Sequence, residues 1–538
     1  MRVVFSAVLI VFLAIALVAE ETARSIYESD IPAKGVDTID APIKAKLKSV
    51  GVEPASNCSD SVFVRRAYID VLGALPTADE ADAFIKDAAP DKRSQLIDAL
   101  LDRPEYADYW ALKWCDALRV KSEFPVNLWP NAVQAYHRWV VESIRTNQPY
   151  DMFARSILVS TGSNFRQPEV NFYRAVREKN ADQLAAAVAL TFMGVRTETW
   201  PTEQRANLAA FFKNVKYKKT GEWKEEIVYT DDVNQPLADA IQRVRYVFPD
   251  GTAAALPPND DPRRIFADWL THPDNPYFAK NAVNRIWFWL FGIGIVNEPD
   301  DIRPDNPPSN PELLAALERA FIASGYDVKS LLRLILNSAA YQRSCISATD
   351  RPESKTLFAH YSIRRLDAEV LIDAINQITG TTESYLSLIP EPWTYTPTDQ
   401  RAVALADGSI TSQFLELFGR PSREAGFLME RDNTPTDAQA LHLLNSSHIR
   451  RKIESALKTE FSGIFKRAQN VGNRPRQGRN PIRDAMEKVY LAILSRYPTP
   501  DELKTIETYS KTSEAKGPQL LADIVWTMLN SPEFLFRH

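Results

Sequence analysis

Ala67-Tyr68-Ile69-Asp70-Val71-Leu72 leads into Pro76-Thr77-Ala78-Asp79-Glu80, and far downstream Val489-Tyr490-Leu491-Ala492-Ile493-Leu494 leads into Pro498-Thr499-Pro500-Asp501-Glu502. Each is followed by a second amphipathic stretch that ends in a matching tag, Leu101-Asp102-Arg103-Pro104-Glu105-Tyr106 and Leu529-Asn530-Ser531-Pro532-Glu533-Phe534. Apolar, turn and capping residues recurring at one spacing across two helices mark a repeated helical unit. This pattern speaks to architecture and leaves chemistry open.

The same signals extend outward from the repeats. Thr77 three residues before Glu80 spells a capping box, as does Thr499 before Pro500 and Glu502, and Ser309 or Asn310 before Pro311-Glu312 spells a third helix start. From Ser61 to about Val215 the pattern is helix after helix. Between Val215 and Leu256 the period changes: Val215-Lys216-Tyr217-Lys218 and Ile227-Val228-Tyr229-Thr230 flank Thr220-Gly221, and Tyr246-Val247-Phe248 follows, which predicts a hairpin plus one further strand. A second helical region begins at Asn259-Asp260-Asp261-Pro262. Asp367 opens a helix with Val370, Leu371, Ala374, Ile375 and Ile378 on one face and Gly380 as its stop. Thr381 to Asp407, rich in proline, reads as a long surface loop. Lys466 to Arg483 carries six basic residues and no acid, and reads as a linker or, alternatively, a contact for an acidic polymer.

The expected fold class is therefore mainly α: a multi-helix body with a small β-hairpin insert and related helical units near both ends. The expected divisions are a signal segment at 1–19, a linker at 20–55, an N-terminal helical domain at 56–214, the β insert at 215–256, a second helical domain at 257–465, a basic linker at 466–482 and a final helical unit at 483–538.

The 538 residues carry 64 Lys and Arg against 69 Asp and Glu, a net charge of -5, so no global basic field favours nucleic acid or an anionic membrane. Met1-Arg2, the apolar run Val3 to Ala19 and then Glu20-Glu21 have the form of a secretory signal, which places the protein in the periplasm or outside the cell. Leu17 is a poor residue three positions before a cut after Ala19, so an uncleaved N-terminal anchor is the alternative. Three cysteines, Cys58, Cys115 and Cys345, are too few and too far apart for a disulfide framework, although one bond, Cys58 to Cys115, is permitted.

The block Asn275-Pro276-Tyr277-Phe278-Ala279-Lys280-Asn281-Ala282-Val283-Asn284-Arg285-Ile286-Trp287, continuing through Asp300-Asp301-Ile302-Arg303-Pro304-Asp305-Asn306-Pro307, resembles the planctomycete-specific domain of unknown function 1553. Arg364-Arg365-Leu366-Asp367-Ala368-Glu369, Phe418-Gly419-Arg420-Pro421 and Glu430-Arg431 extend the resemblance. Upstream, Phe63-Val64-Arg65-Arg66-Ala67-Tyr68-Ile69-Asp70 and Pro104-Glu105-Tyr106 are similar to its usual partner, domain of unknown function 1549. The resemblance implies secretion and a cytochrome-like label but no reaction. Many such proteins carry a Cys-x-x-Cys-His-like run after a Gly-Val-Arg, the chemistry of covalent haem. Here Gly194-Val195-Arg196 is followed by Thr197-Glu198-Thr199-Trp200-Pro201, so covalent haem is not expected and a haem-based redox role is disfavoured.

Among residues able to carry chemistry, Asp300, Asp301 and Asp305 around Arg303 have the oxygen donors for a hard cation such as calcium, or form a plain turn. Arg420, Arg423, Glu424, Glu430, Arg431 and Asp432 are the densest charge cluster; arginine forks there suit an anionic ligand, the glutamates suit acid and base work, and a buried ion-pair network is the alternative. Trp393 in its proline loop is the best sugar-stacking candidate of eleven tryptophans. His272 with Asp268 has the spacing of two metal ligands at a helix end but no visible third, and a plain helix-terminus histidine is the preferred reading, whereas His442 and His448, six residues apart, share no helical face. No phosphate loop, dinucleotide fingerprint or hydrolase elbow occurs. The reading is an exported, noncatalytic binding or assembly module of the cell envelope, with a protein or polysaccharide partner outside the cytoplasm and no nucleic acid. The alternative is a hydrolase or other enzyme acting on extracellular polysaccharide.

Overall fold

The computed structural model describes residues 26–231, 246–255, 260–458, 481–515 and 517–538. The expected signal at 1–19 and most of the basic stretch 466–482 lie outside them. Within the described residues the fold is mainly α with sheets of only two or three strands, as the sequence pattern predicts.

The first repeat folds as helices Asp60–Leu72, Ala78–Lys86 and Lys92–Leu101, then the Pro104–Ala117 helix. The last folds in the same order as Pro481–Leu494, Pro500–Thr512 and Pro518–Leu529, then the short Pro532–Leu535 turn. Both second helices start in a complete capping box, Thr77 with Glu80 and Thr499 with Glu502. Both first helices end on a left-handed residue, Gly73 with φ 59° and Ser495 with φ 58°.

The likeness reaches the side chains. In the first unit Arg103 bonds Glu80 at 2.8 Å and Glu105 at 2.6 Å and lies over the Tyr68 ring. In the last unit Arg496 bonds Glu502 at 2.8 Å and Glu533 at 2.6 Å and lies over the Tyr490 ring. The glutamates and tyrosines occupy matching repeat positions, whereas the arginine enters from a different place in each. Geometry, not sequence position, is what recurs.

The two units meet face to face. The guanidinium of Arg65, fully buried, donates to the carbonyls of Ile493 at 2.8 Å and Phe534 at 2.9 Å, and the Tyr497 hydroxyl bonds the Asp82 carboxylate. Beyond them, Phe536–Arg537 pairs antiparallel with Arg364–Arg365, so the last residues are laced into the middle of the chain.

Two expectations change. The stretch 20–55 is not merely a linker: Asp37–Val50 is a helix that buries Ile39, Ile43 and Leu47 against the Pro311–Ala323 helix, a four-residue period interrupted in the sequence by Pro42. The third strand beside the Val215–Lys219 and Glu226–Thr230 hairpin is Gly162–Ser163, not Tyr246 to Phe248. Phe248 instead turns inward and stacks on Trp269 and Phe211, a better use of a large ring than a sheet edge. All three cysteines are free thiols, with Cys58 and Cys115 buried, so the permitted disulfide is not formed. No helix among the described residues is long and apolar enough to cross a membrane.

Thr499→Ala removes one N-cap acceptor and is expected to cost about 1 kcal/mol. Arg496→Met strands two partly buried glutamates and is expected to lower the urea midpoint further. The reverse order would show that the clamp does not hold the last unit.

Candidate functional site

The Pro104–Ala117 helix is apolar and aromatic on most faces yet buries Lys113 and Asp116, and the Asp60–Leu72 helix likewise buries Asp70. A charge enclosed in an apolar helix needs a partner, because its desolvation is otherwise prohibitive. The partners come from remote segments. Asp70, wholly buried, accepts from Arg537 at 2.6 Å and from the hydroxyls of Tyr341 and Tyr361 at 2.9 and 3.0 Å, with Arg364 at 3.4 Å. Arg537 also reaches Asp367 at 2.8 Å, which Lys113 contacts at 2.6 Å and the Asn433 amide at 2.7 Å.

A second set lies alongside. Arg431 forks between Glu369 at 2.6 Å and Asp116 at 2.7 Å, Arg423 takes Asp116 at 2.8 Å, and Arg420 takes Glu369 at 3.3 Å. Four carboxylates thus face six cations. Arg365 adds a seventh with no carboxylate, donating to the carbonyls of Phe418, Asp432 and Asn433 and leaving its Nη1 buried without a partner.

Burial raises the Asp367 carboxyl, but Lys113, Arg537 and Arg431 outweigh it and hold it well below the usual range. Asp116 is lowered in the same way, burial being overcome by Arg431 and Arg423. Both stay ionised at neutral pH and are poorly suited to exchange protons there.

Above this network opens a cleft of about 780 Å³. Its floor includes Lys113, Asp367, Arg365, Arg431 and Arg537, and its walls include Trp289, Met429, Glu298 and Lys355. Lys355 is exposed and forms no ion pair among the described residues.

The sequence candidates divide. Arg431 lines the cleft, while Arg420 and Arg423 brace it from behind, so the arginines expected to act together do so, largely as an ion-pair network. Glu424 pairs with Lys121 at 2.7 Å. Glu430 turns back to accept the N–H groups of Ala425, Gly426 and Glu424; burial raises its carboxyl while those bonds oppose it. The two glutamates therefore do not form an acid and base pair. Asp300 is buried against Arg285 at 3.1 Å and accepts the Leu428 N–H at 2.6 Å, fastening the loop that walls the cleft. Asp301 and Asp305 pair with Arg303 at 3.2 and 3.3 Å instead of converging with Asp300. Among the described residues no group of three or more His, Cys, Asp or Glu is placed to hold a metal ion. Asp268 pairs with Arg155, leaving His272 beside Asp274. His442 and His448 do meet, at 3.3 Å, because the chain reverses at Ser446; His448 also bonds Glu383 at 2.9 Å. Trp393 lies against Trp129, outside the cleft lining.

Sequence reasoning missed Asp70, Lys113, Asp116, Arg364, Arg365, Glu369 and Arg537 as site residues. The available signal was the isolated charge inside an apolar helix, and Asp367, read as a helix cap, makes no side-chain cap bond: Lys113 and Arg537 take its Oδ2 and the Asn433 amide its Oδ1.

Asp367→Asn is expected to cost about 3–5 kcal/mol by stranding buried cations. The carboxyl is lowered from 3.8 on folding, so its contribution is complete above that value and lost as pH falls through the folded value far beneath it. The stability gap between wild type and variant, read from urea midpoints, is expected to stay constant down to about pH 5 and to shrink below about pH 4. A gap that widens with acid would contradict the assignment.

Residues 38–217 match the family described as PSCyt2, protein of unknown function (DUF1549), and residues 262–510 match PSD1, protein of unknown function (DUF1553). No curated protein and no solved structure was matched. The cleft is lined by residues of both matched segments, from Lys113 and Asp116 to Arg364, Asp367 and Arg431. The chain is thus a protein that pairs a DUF1549 domain with a DUF1553 domain.

Proposed function

We propose that this is an exported binding or assembly module of the cell envelope that holds an anionic group of its partner in the cleft between the two domains. The observation that carries the reading is the surplus of cations beneath the cleft, where each buried carboxylate is already committed to arginine or lysine. An incoming carboxylate, phosphate or sulfate meets positive charge that is already desolvated and oriented, and exposed Lys355 extends that field to the rim. Ile363 and Met429, exposed at the wall, offer apolar contact to the rest of the ligand.

The same pairing bears on the hydrolase alternative. Glycoside hydrolysis needs one carboxyl able to give a proton and another free to act on the sugar. Asp116 and Asp367 are held ionised by their cations, and Asp300, Glu424 and Glu430 each point to a separate partner. Export rests on the Val3 to Ala19 run, with N-terminal anchoring as its alternative.

Sulfate, citrate and tripolyphosphate, titrated at constant ionic strength, are expected to raise the Tm saturably for at least one of the three, by the equivalent of about 2.7 kcal/mol at a hundredfold excess over Kd. Lys355→Glu is expected to weaken that effect without changing Tm in its absence. No saturable rise for any of the anions, or an unchanged response in the variant, would overturn the cleft assignment. N-terminal sequencing of protein from the envelope fraction of the native host is expected to start near Glu20, or at Met1 if the segment is retained as an anchor. Recovery only from the cytosolic fraction would overturn export.

A further inference from the structure

Three tryptophans from three separate parts of the chain meet on the surface away from the cleft lining. The Trp129 ring centroid lies 6.4 Å from that of Trp223 and 6.0 Å from that of Trp393. Trp223 is 64 % exposed and Trp393 44 % exposed. Such large rings are ordinarily spent in the core, and a contiguous exposed set marks an interaction surface.

The group is held by a built frame. Trp223 and Lys224 form the tip of the Val215–Lys219 and Glu226–Thr230 hairpin, and the buried Asn164 fixes that tip by donating to the Lys224 carbonyl at 3.2 Å and accepting the Glu226 N–H at 2.9 Å. Asn171 donates to the Asn164 carbonyl at 2.8 Å, and Arg174 joins Asn171 at 2.9 Å to Glu226 at 2.9 Å and the Leu128 carbonyl at 3.4 Å. The hairpin tip is thereby tied to the segment that carries Trp129. Trp393 sits in a turn closed by its N–H on the Pro390 carbonyl. Trp129, Lys224 and Asn127 all adopt positive φ, at 74°, 61° and 60°. Non-glycine residues held there by their surroundings are strained and cluster at ligand-contacting sites.

Charge indicates what lies on the rings. The Lys224 ammonium rests 4.6 Å from the Trp129 centroid, and Lys216, Lys218 and Lys219 project from the adjoining strand, all exposed. None of these four forms an ion pair among the described residues. Of the neighbouring acids, Glu225 accepts from Ser163 and Thr220 and Glu226 pairs with Arg174 and Lys179, while Glu222 and Glu391 are exposed and form no ion pair among the described residues. We infer that this surface, formed by Trp129, Trp223, Trp393 and Lys224, binds a polysaccharide bearing carboxylate or sulfate groups, the sugar faces stacking on the indoles and the anionic groups pairing with the lysines. Apolar C–H faces suit indole rings, and sparse anionic charge suits a few free lysines on a molecule whose net charge is -5. A polynucleotide carries a charge on every residue, for which that overall sign is unfavourable.

Affinity gel electrophoresis of the full chain with alginate and with dextran sulfate tests the inference, with hydroxyethyl cellulose as the neutral polymer. At least one acidic polymer is expected to retard the wild type more than the neutral one does. Trp223→Ala/Trp393→Ala, which alters only exposed rings, is expected to weaken that apparent affinity about tenfold. Lys224→Gln is expected to weaken it while leaving mobility in the neutral gel unchanged. Absence of retardation in both acidic gels, or equal retardation by the double tryptophan variant, would overturn the assignment. Tighter binding to phosphatidylglycerol vesicles or to single-stranded DNA than to either acidic polymer would overturn it as well, in favour of a membrane or nucleic-acid surface.

Discussion

A single arginine, Arg537, joins two enclosed aspartates that enter from opposite parts of the sequence, Asp70 and Asp367. None of the three is compatible with an apolar interior alone, since burying an unpaired ion costs several kcal/mol even after relaxation. Together they are compensated: Tyr341 and Tyr361 complete the partners of Asp70, and Lys113 and Asn433 add to Arg537 on Asp367, while the Arg537 Nε stays buried without a partner. The two-residue ladder between Arg364–Arg365 and Phe536–Arg537 sets the register in which Arg537 reaches both carboxylates. The first repeat, the middle of the chain and the last residues are thereby committed to one another.

Around that link the repeats supply shape and the charge network supplies address. Each unit closes its own helices with an arginine over a tyrosine and between two glutamates, a local and self-sufficient device. The repeat position of Asp70 is occupied in the last unit by Ala492. The two units are therefore alike in how they fold and different in what they bury, which is why only the first contributes a carboxylate beneath the cleft. The loop after Arg420 is similarly divided in its duties: Asp300 pins Leu428, Glu430 closes the turn, and Arg431 reaches the cleft floor.

The cleft and the tryptophan surface follow the same physical logic in opposite solvent regimes. Under the cleft, cations are enclosed and fixed, so that an anion gains from low dielectric and preorganised donors. On the hairpin, lysines stay hydrated and the rings provide contact area, an arrangement suited to a long, weakly charged chain. Asp116 and Asp367, although close to the cleft, serve to hold arginines in place.

The sequence by itself determined the helices, the repeat and the β hairpin, because capping boxes, prolines at helix starts, left-handed stops and apolar periods act within a few residues. Thr77 with Glu80, Thr499 with Glu502 and Gly380 were all legible for that reason. It also showed that Arg420, Arg423 and Arg431 form a charge cluster, but not which carboxylates they serve. Only the tertiary structure decided that Asp116 and Glu369 take those arginines, that Asp300 leaves Asp301 and Asp305 for Arg285, and that Trp393 joins Trp129 and Trp223. The physical reason is that an ion pair or ring contact has no sequence period: its partners are chosen by the distances left once helices have packed, here across 467 residues between Asp70 and Arg537.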